Sequence, residues 1–170
     1  MFQIGQYIVY HSAEVCQVEA IGPLRFAGDR DVDYYTLRPF DVDSSGKIYI
    51  PVDTAVFMRA VITKAEALRR LKELELLNVK IPGAMSRPQL ANYYRELLLS
   101  HDLSEQLKLF KELHCKSRAA PRSKKGLALT EQRLYKQVGK LLSGELSLAL
   151  RETPERSMKR LRAAAEAVQK

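Results

Sequence analysis

Tryptophan is absent from this 170-residue chain, cysteine occurs twice, and no apolar run approaches the ~20 residues that a membrane helix needs. These gaps narrow the possibilities. The two thiols, Cys16 and Cys115, are far apart and make no disulfide framework, which points to a reducing compartment. The stretch from Met1 to Tyr10 lacks the basic region and long apolar run of a signal peptide. Together these features predict a soluble, cytoplasmic protein.

Catalytic and metal motifs are missing as well. The sequence has no C-x-x-C, H-E-x-x-H, Walker loop or G-x-S-x-G. Its three histidines are His11, His101 and His114. His114 adjoins Cys115, and neighbours on a helix point in different directions, so the pair has no ligand spacing. The glycines stand singly in turns and form no phosphate cradle. Asp31 and Asp33 flank a predicted strand, where solvated acids are ordinary. Cys16 lies in an apolar alternation and reads as a small core residue. The expectation is a protein without enzymatic activity, metal or cofactor.

The residues that are present divide into two groups. The chain is 46% hydrophobic, enough for a packed core, and carries a net charge of +8. Residues 1–60 hold five cations against eight acids, a net −3; residues 61–170 hold the other 23 cations and 12 acids, a net +11. Such a division points to a nucleic-acid-facing half. Periodicity changes at the same place. Tyr7–Tyr10, Val15–Val18, Tyr34–Leu37 and Ile48–Ile50 are β-branched and aromatic runs separated by Gly5, Gly22-Pro23, Gly28-Asp29 and Asp43–Gly46. Short strands at that spacing predict a small antiparallel β-barrel or rolled sheet.

From Thr63 the period is helical. Thr63–Glu66 has the form of a capping box, with Ala67, Leu68, Leu71 and Leu74 following. A second helix is expected from Ser86 or Pro88, through Leu90, Tyr93, Tyr94, Leu97 and Leu98. Asp102–Glu105 opens a third, with Leu107, Phe110 and Leu113. Thr130 is the expected cap of a fourth, with Leu134, Val138, Leu141 and Leu142. Gly144 is expected to interrupt it, leaving Glu145–Leu150 as a separate helical piece. Thr153-Pro154 opens a terminal helix carrying Met158, Leu161 and Ala165. The fold class is therefore α+β in two domains, a β domain over 1–60 and an all-α domain over 61–170.

The order of these pieces resembles the CarD/CdnL family of bacterial transcription regulators. The residues that carry the resemblance are Phe2, Ile4, Gly5, Tyr7, Val9 and Tyr10, then Val15, Cys16, Val18, Glu19 and Ile21, then Tyr34–Leu37, then Ile48–Val52. Beyond them Arg59, the Thr63–Leu77 helix, Ser100–Asp102 and Gly144–Leu146 also fit, so the likeness spans nearly the whole chain. The β part is similar to the polymerase-binding module of the transcription-repair coupling factor.

The resemblance implies a Tudor- or SH3-like barrel that docks on the RNA polymerase β subunit. It also implies a helical domain that meets promoter DNA at the upstream edge of the bubble, on its backbone and minor groove, without base-specific reading. It places the polymerase contact at Leu24, Arg25, Lys47, Tyr49 and Ile50. Some relatives have arginine where this chain has Tyr49, so Tyr49 is either an aromatic contact or a barrel-packing residue. Relatives insert a tryptophan at the fork; the corresponding stretch here is Pro82–Pro88, with Met85 as the candidate apolar wedge or a residue packed on the next helix. Tyr93 or Tyr94 is a further candidate to face DNA.

Arg87 and Arg95 are candidate phosphate contacts. In the basic stretch Lys116–Lys125, so are Arg118, Arg122, Lys124 and Lys125, unless that stretch is a solvated connector. Arg156, Lys159, Arg160 and Arg162 make another cationic cluster, read as a solvated face. The expected partners are polymerase and duplex DNA, with no membrane and a monomeric chain. The alternatives are a free-standing non-specific nucleic-acid binder, disfavoured by the acidic first half, and a protein-interaction adaptor.

Overall fold

A computed structural model of the chain describes residues 1–11, 14–28, 31–41, 46–119 and 126–167. It has two compact units, Met1–Val61 and Ile62–Lys170. The first is a five-stranded antiparallel sheet: β1 (Tyr7–Tyr10), β2 (Glu14–Gly22), β3 (Tyr34–Pro39), β4 (Ile48–Pro51) and β5 (Met58–Ala60), in the order β4-β3-β2-β1-β5. Alternation sends Ile8, Cys16, Val18, Tyr35, Leu37 and Ile50 into one core. Cys16 is wholly buried there, and burial, helped by the charge of Glu14, pushes its thiol up to about 12. It is therefore an inert core residue. Closure into a barrel would need β4 to pair with β5. Among the described residues no such pairing occurs, and β4 and β5 are the two edges.

Strand β2 bends where its register with β3 shifts between Val18 and Ala20. Glu19 occupies this bulge, and an extra residue there redirects a side chain without breaking the sheet. Its carboxylate meets Lys47 Nζ at 2.7 Å and Arg38 Nε at 3.5 Å.

The second unit has five helices: α1 (Lys64–Leu76), α2 (Arg87–Leu99), α3 (Leu103–Ala119), α4 (Leu129–Leu150) and α5 (Pro154–Glu166). No helix among the described residues is long and apolar enough to cross a membrane. The starts follow side-chain chemistry. Thr63 accepts from the Glu66 N–H, Ser86 and Gln89 form a reciprocal capping box, Asp102 accepts from the Ser104 N–H, and Thr153 accepts from the Arg156 N–H. Tyr94, Leu107, Leu109, Phe110, Leu113, Val138 and Leu161 fill a common core at 0–2% exposure.

The fourth helix departs from the sequence expectation in two places. It begins after Ala128 rather than at a Thr130 cap, because the Glu131 carboxylate turns back to accept the Ala128 N–H at 3.0 Å. Gly144 does not interrupt it: residues 141–147 are buried all round, and Ile62 N–H donates to Glu145 Oε1 at 3.1 Å. A mid-helix glycine costs about 1 kcal/mol against alanine, less than the packing of that whole segment returns. The helix ends at Arg151, in the left-handed region at φ 54°.

Two buried charges on α3 have opposite fates. Lys111 donates to the carbonyls of Leu74 at 2.7 Å and Glu75 at 3.2 Å, satisfying the end of α1. Glu112, 1% exposed, receives the Tyr93 hydroxyl on Oε1 at 3.0 Å, but its Oε2 has no hydrogen-bond partner. Burial pushes the Glu112 carboxyl above its ordinary range, against the Tyr93 hydrogen bond and the Lys108 charge. A raised folded-state value means that stability is lost as pH climbs from near 4.5 through that higher value. Glu112→Gln keeps an acceptor for Tyr93 and removes the buried charge. It is expected to flatten that slope and raise the neutral-pH melting temperature; chemical denaturation from pH 4 to 8 checks this.

Candidate functional site

The outward surface of the sheet unit centres on β4. Ile48 and Ile50 point inward, so Tyr49 between them points out, 42% exposed. Against it lies Phe26 from the β2–β3 connection, 72% exposed, with ring centroids 5.1 Å apart and nearly perpendicular planes. Two exposed aromatics held edge to face form a rigid apolar knob. Arg25 is exposed beside Phe26 in sequence, and Leu24 is half-buried. Lys47 is exposed and hydrogen-bonds the bulged Glu19. That bond, with the charges of Lys47 and Arg38, holds the Glu19 carboxyl below its ordinary range, and it raises Lys47. An apolar knob is thus bordered by fixed charges at an edge strand.

Of the five residues expected in a polymerase contact, Tyr49, Lys47 and Arg25 are on this surface and Leu24 is at its margin. Ile50 is 6% exposed and belongs to the sheet core; the two-residue period that exposes Tyr49 buries it. Phe26 is the member of the surface that sequence reasoning misses. An aromatic inside the Gly22–Gly28 turn, where it has no strand to pack in, is the signal for it.

In the helical unit the expected DNA-facing residues are dispersed. Met85 is 43% exposed in the segment between α1 and α2. Arg87 opens α2 and is exposed; Arg95 is exposed two turns on and donates to Asn92. Tyr94 is fully buried, while Tyr93 is half-buried, with Lys108 Nζ 5.6 Å from its ring centroid. Arg118 is exposed but pairs with Glu166 at 3.1 Å. Arg122, Lys124 and Lys125 lie outside the described residues. His114 is buried between Tyr135, at 2.8 Å from Nδ1, and Glu166, at 3.2 Å from Nε2. Burial lowers its pKa, against the pull of Glu166. Among the described residues no group of three or more His, Cys, Asp or Glu is placed to hold a metal ion.

Residues 2–62 match the CarD-like/TRCF RID domain. The match covers the whole sheet unit and ends at the start of the helical one. It is consistent with the CarD/CdnL resemblance of the sequence, and the CarD-like proteins are in general non-enzymatic transcription factors. The RID, an RNA polymerase-interacting domain, points to an RNA polymerase-binding transcription regulator. No curated protein matches the chain.

Proposed function

We propose that the chain docks its RID on the β subunit of bacterial RNA polymerase through β4, Phe26 and Tyr49, and that the helical unit then meets promoter DNA beside the bubble. The observation that carries the docking surface is the exposed pair of Tyr49, on edge strand β4, and Phe26, from the β2–β3 connection, in a matched RID. An edge strand has backbone N–H and C=O groups to which an extended segment of a partner adds, and aromatic knobs seat in pockets alongside. Arg25 and Lys47 border the knob and suit an acidic rim, which steers encounter more than it adds affinity.

The DNA side is supported by the +11 charge of residues 61–170 and by the exposed Arg87 and Arg95. Phosphate contacts of that kind position a protein without reading sequence. Tethering by the RID raises the local concentration of DNA, so a weak DNA surface suffices. The effect is on open-complex lifetime: a promoter limited by opening is activated and one limited by escape is repressed. The test is interferometry of the full chain on immobilised polymerase, in rising salt. Saturable binding that persists at high salt is expected; absence of binding would remove the proposal.

A further inference from the structure

Helix α4 carries Arg133, Lys136 and Lys140 at i, i+3 and i+7, on one side. Its exposed side chains from Thr130 to Lys140 are Thr130, Gln132, Arg133, Lys136, Gln137 and Lys140, with no acid among them. The acids of α4 are buried and engaged: Glu131 by Lys116 and the Ala128 N–H, Glu145 by the Ile62 N–H.

Helix α5 packs beside this exposed face, against the buried Gly139. A Cβ on Gly139 would stand 3.0 Å from Met158 Cε, and the charge of Arg162 acts on the Tyr135 phenol. Lys159, next to Met158, is exposed. The acids around α5 are largely occupied. Glu152 takes Arg156 and Arg160, and Glu166 takes His114 and Arg118, which leaves Glu155 exposed in the first turn. Arg133, Lys136 and Lys159 make no ion pair among the described residues.

We infer that the outer faces of α4 and α5 form a second site for the phosphate backbone of duplex DNA, made by Arg133, Lys136 and Lys159 with Arg162 at its inner edge. The inference rests on the DNA-facing role proposed for the helical unit, and it adds a contact to those of Arg87 and Arg95 on α2. Nucleic acid suits the strip better than an acidic protein. Protein interfaces are anchored by buried aromatic or aliphatic side chains, and no large hydrophobic residue described between 130 and 167 is exposed. A phosphate backbone needs only fixed cations. Arg133 to Lys140 spans about 10 Å of helix, against one duplex charge per roughly 1.7 Å of axis.

The test measures full-chain affinity for a short non-promoter duplex as a function of salt. Three variants are compared with the wild type: Arg133→Glu/Lys136→Glu/Lys159→Glu, Arg87→Glu/Arg95→Glu, and Lys64→Glu/Lys72→Glu/Lys80→Glu as a charge-matched control. The strip variant is expected to bind at least tenfold more weakly at low salt. Its log–log slope should be shallower by about 2–3, near 0.9 for each phosphate no longer neutralised. The control is expected to weaken much less. A wild-type slope in the strip variant, with weakened binding in the Arg87/Arg95 variant, overturns the inference and keeps the DNA-facing role. Equal weakening in strip and control variants overturns it as net charge alone. A strip variant that keeps DNA but fails to bind polymerase reassigns the strip to an acidic protein. No duplex binding by the wild type at low salt removes the strip, whereas the DNA-facing role then stands or falls with the polymerase-tethered complex.

Discussion

Replacing Phe26 and Tyr49 together by alanine is expected to weaken binding to RNA polymerase by 30-fold or more. Truncated aromatic hot spots each cost about 2 kcal/mol or above, and tenfold in affinity is about 1.4 kcal/mol. Both rings are exposed and neither belongs to the sheet core. The double variant should therefore keep its circular dichroism and melting temperature while its affinity falls. The effects of the two single variants should sum to more than that of the double. Each ring holds the other in place at 5.1 Å, so removing either one also releases its neighbour. Lys47→Ala should act differently, changing the association rate and its salt dependence more than the dissociation rate. Interferometry separates these outcomes. A double variant that binds as the wild type does would move the docking surface elsewhere on the sheet.

Phe110→Ala is expected to destabilise the helical unit by about 3–5 kcal/mol, the usual range for a buried aromatic cut to alanine. Phe110 is 0% exposed, stacks on His114 with planes 10° apart, and lies 5.4 Å from the Tyr135 ring. It also touches the place where a Gly139 Cβ would stand, at 3.6 Å. Its removal would open a cavity where α3, α4 and α5 meet. At about 4 °C or more per kcal/mol, the melting temperature of the unit should fall by more than 10 °C. Polymerase binding should persist below that transition, since no residue of the RID surface is involved. Calorimetry checks the stability change and interferometry the binding.

Features set by local chemistry are legible in the sequence. Thr63, Ser86, Asp102 and Thr153 stand at helix starts because a short oxygen-bearing side chain satisfies amide groups that the helix leaves open. The β-branched and aromatic runs form strands, and their two-residue period separates Tyr49 from the core. Features set by distant contacts are not legible. Gly144 reads as a break, yet the buried segment around it holds α4 together. Arg118 reads as one more cation in a basic stretch, but Glu166, 48 residues on, takes its charge. Adjacency groups Ile50 with Tyr49, although adjacent strand residues face opposite ways. The approach of α5 to α4 is not legible either, since it is set by Met158 packing over Gly139, 19 residues away.

Everything proposed for the sheet unit depends on the outward face at Tyr49 meeting the polymerase β subunit. The decisive measurement places a photo-cross-linking phenylalanine analogue at Tyr49 in the full chain, irradiates it with purified bacterial RNA polymerase, and identifies the adduct by mass spectrometry. One dominant adduct is expected, on the β subunit, and it should be absent when the analogue stands at Leu68 on α1. Adducts on another subunit, or equal yields from both positions, would refute the docking surface.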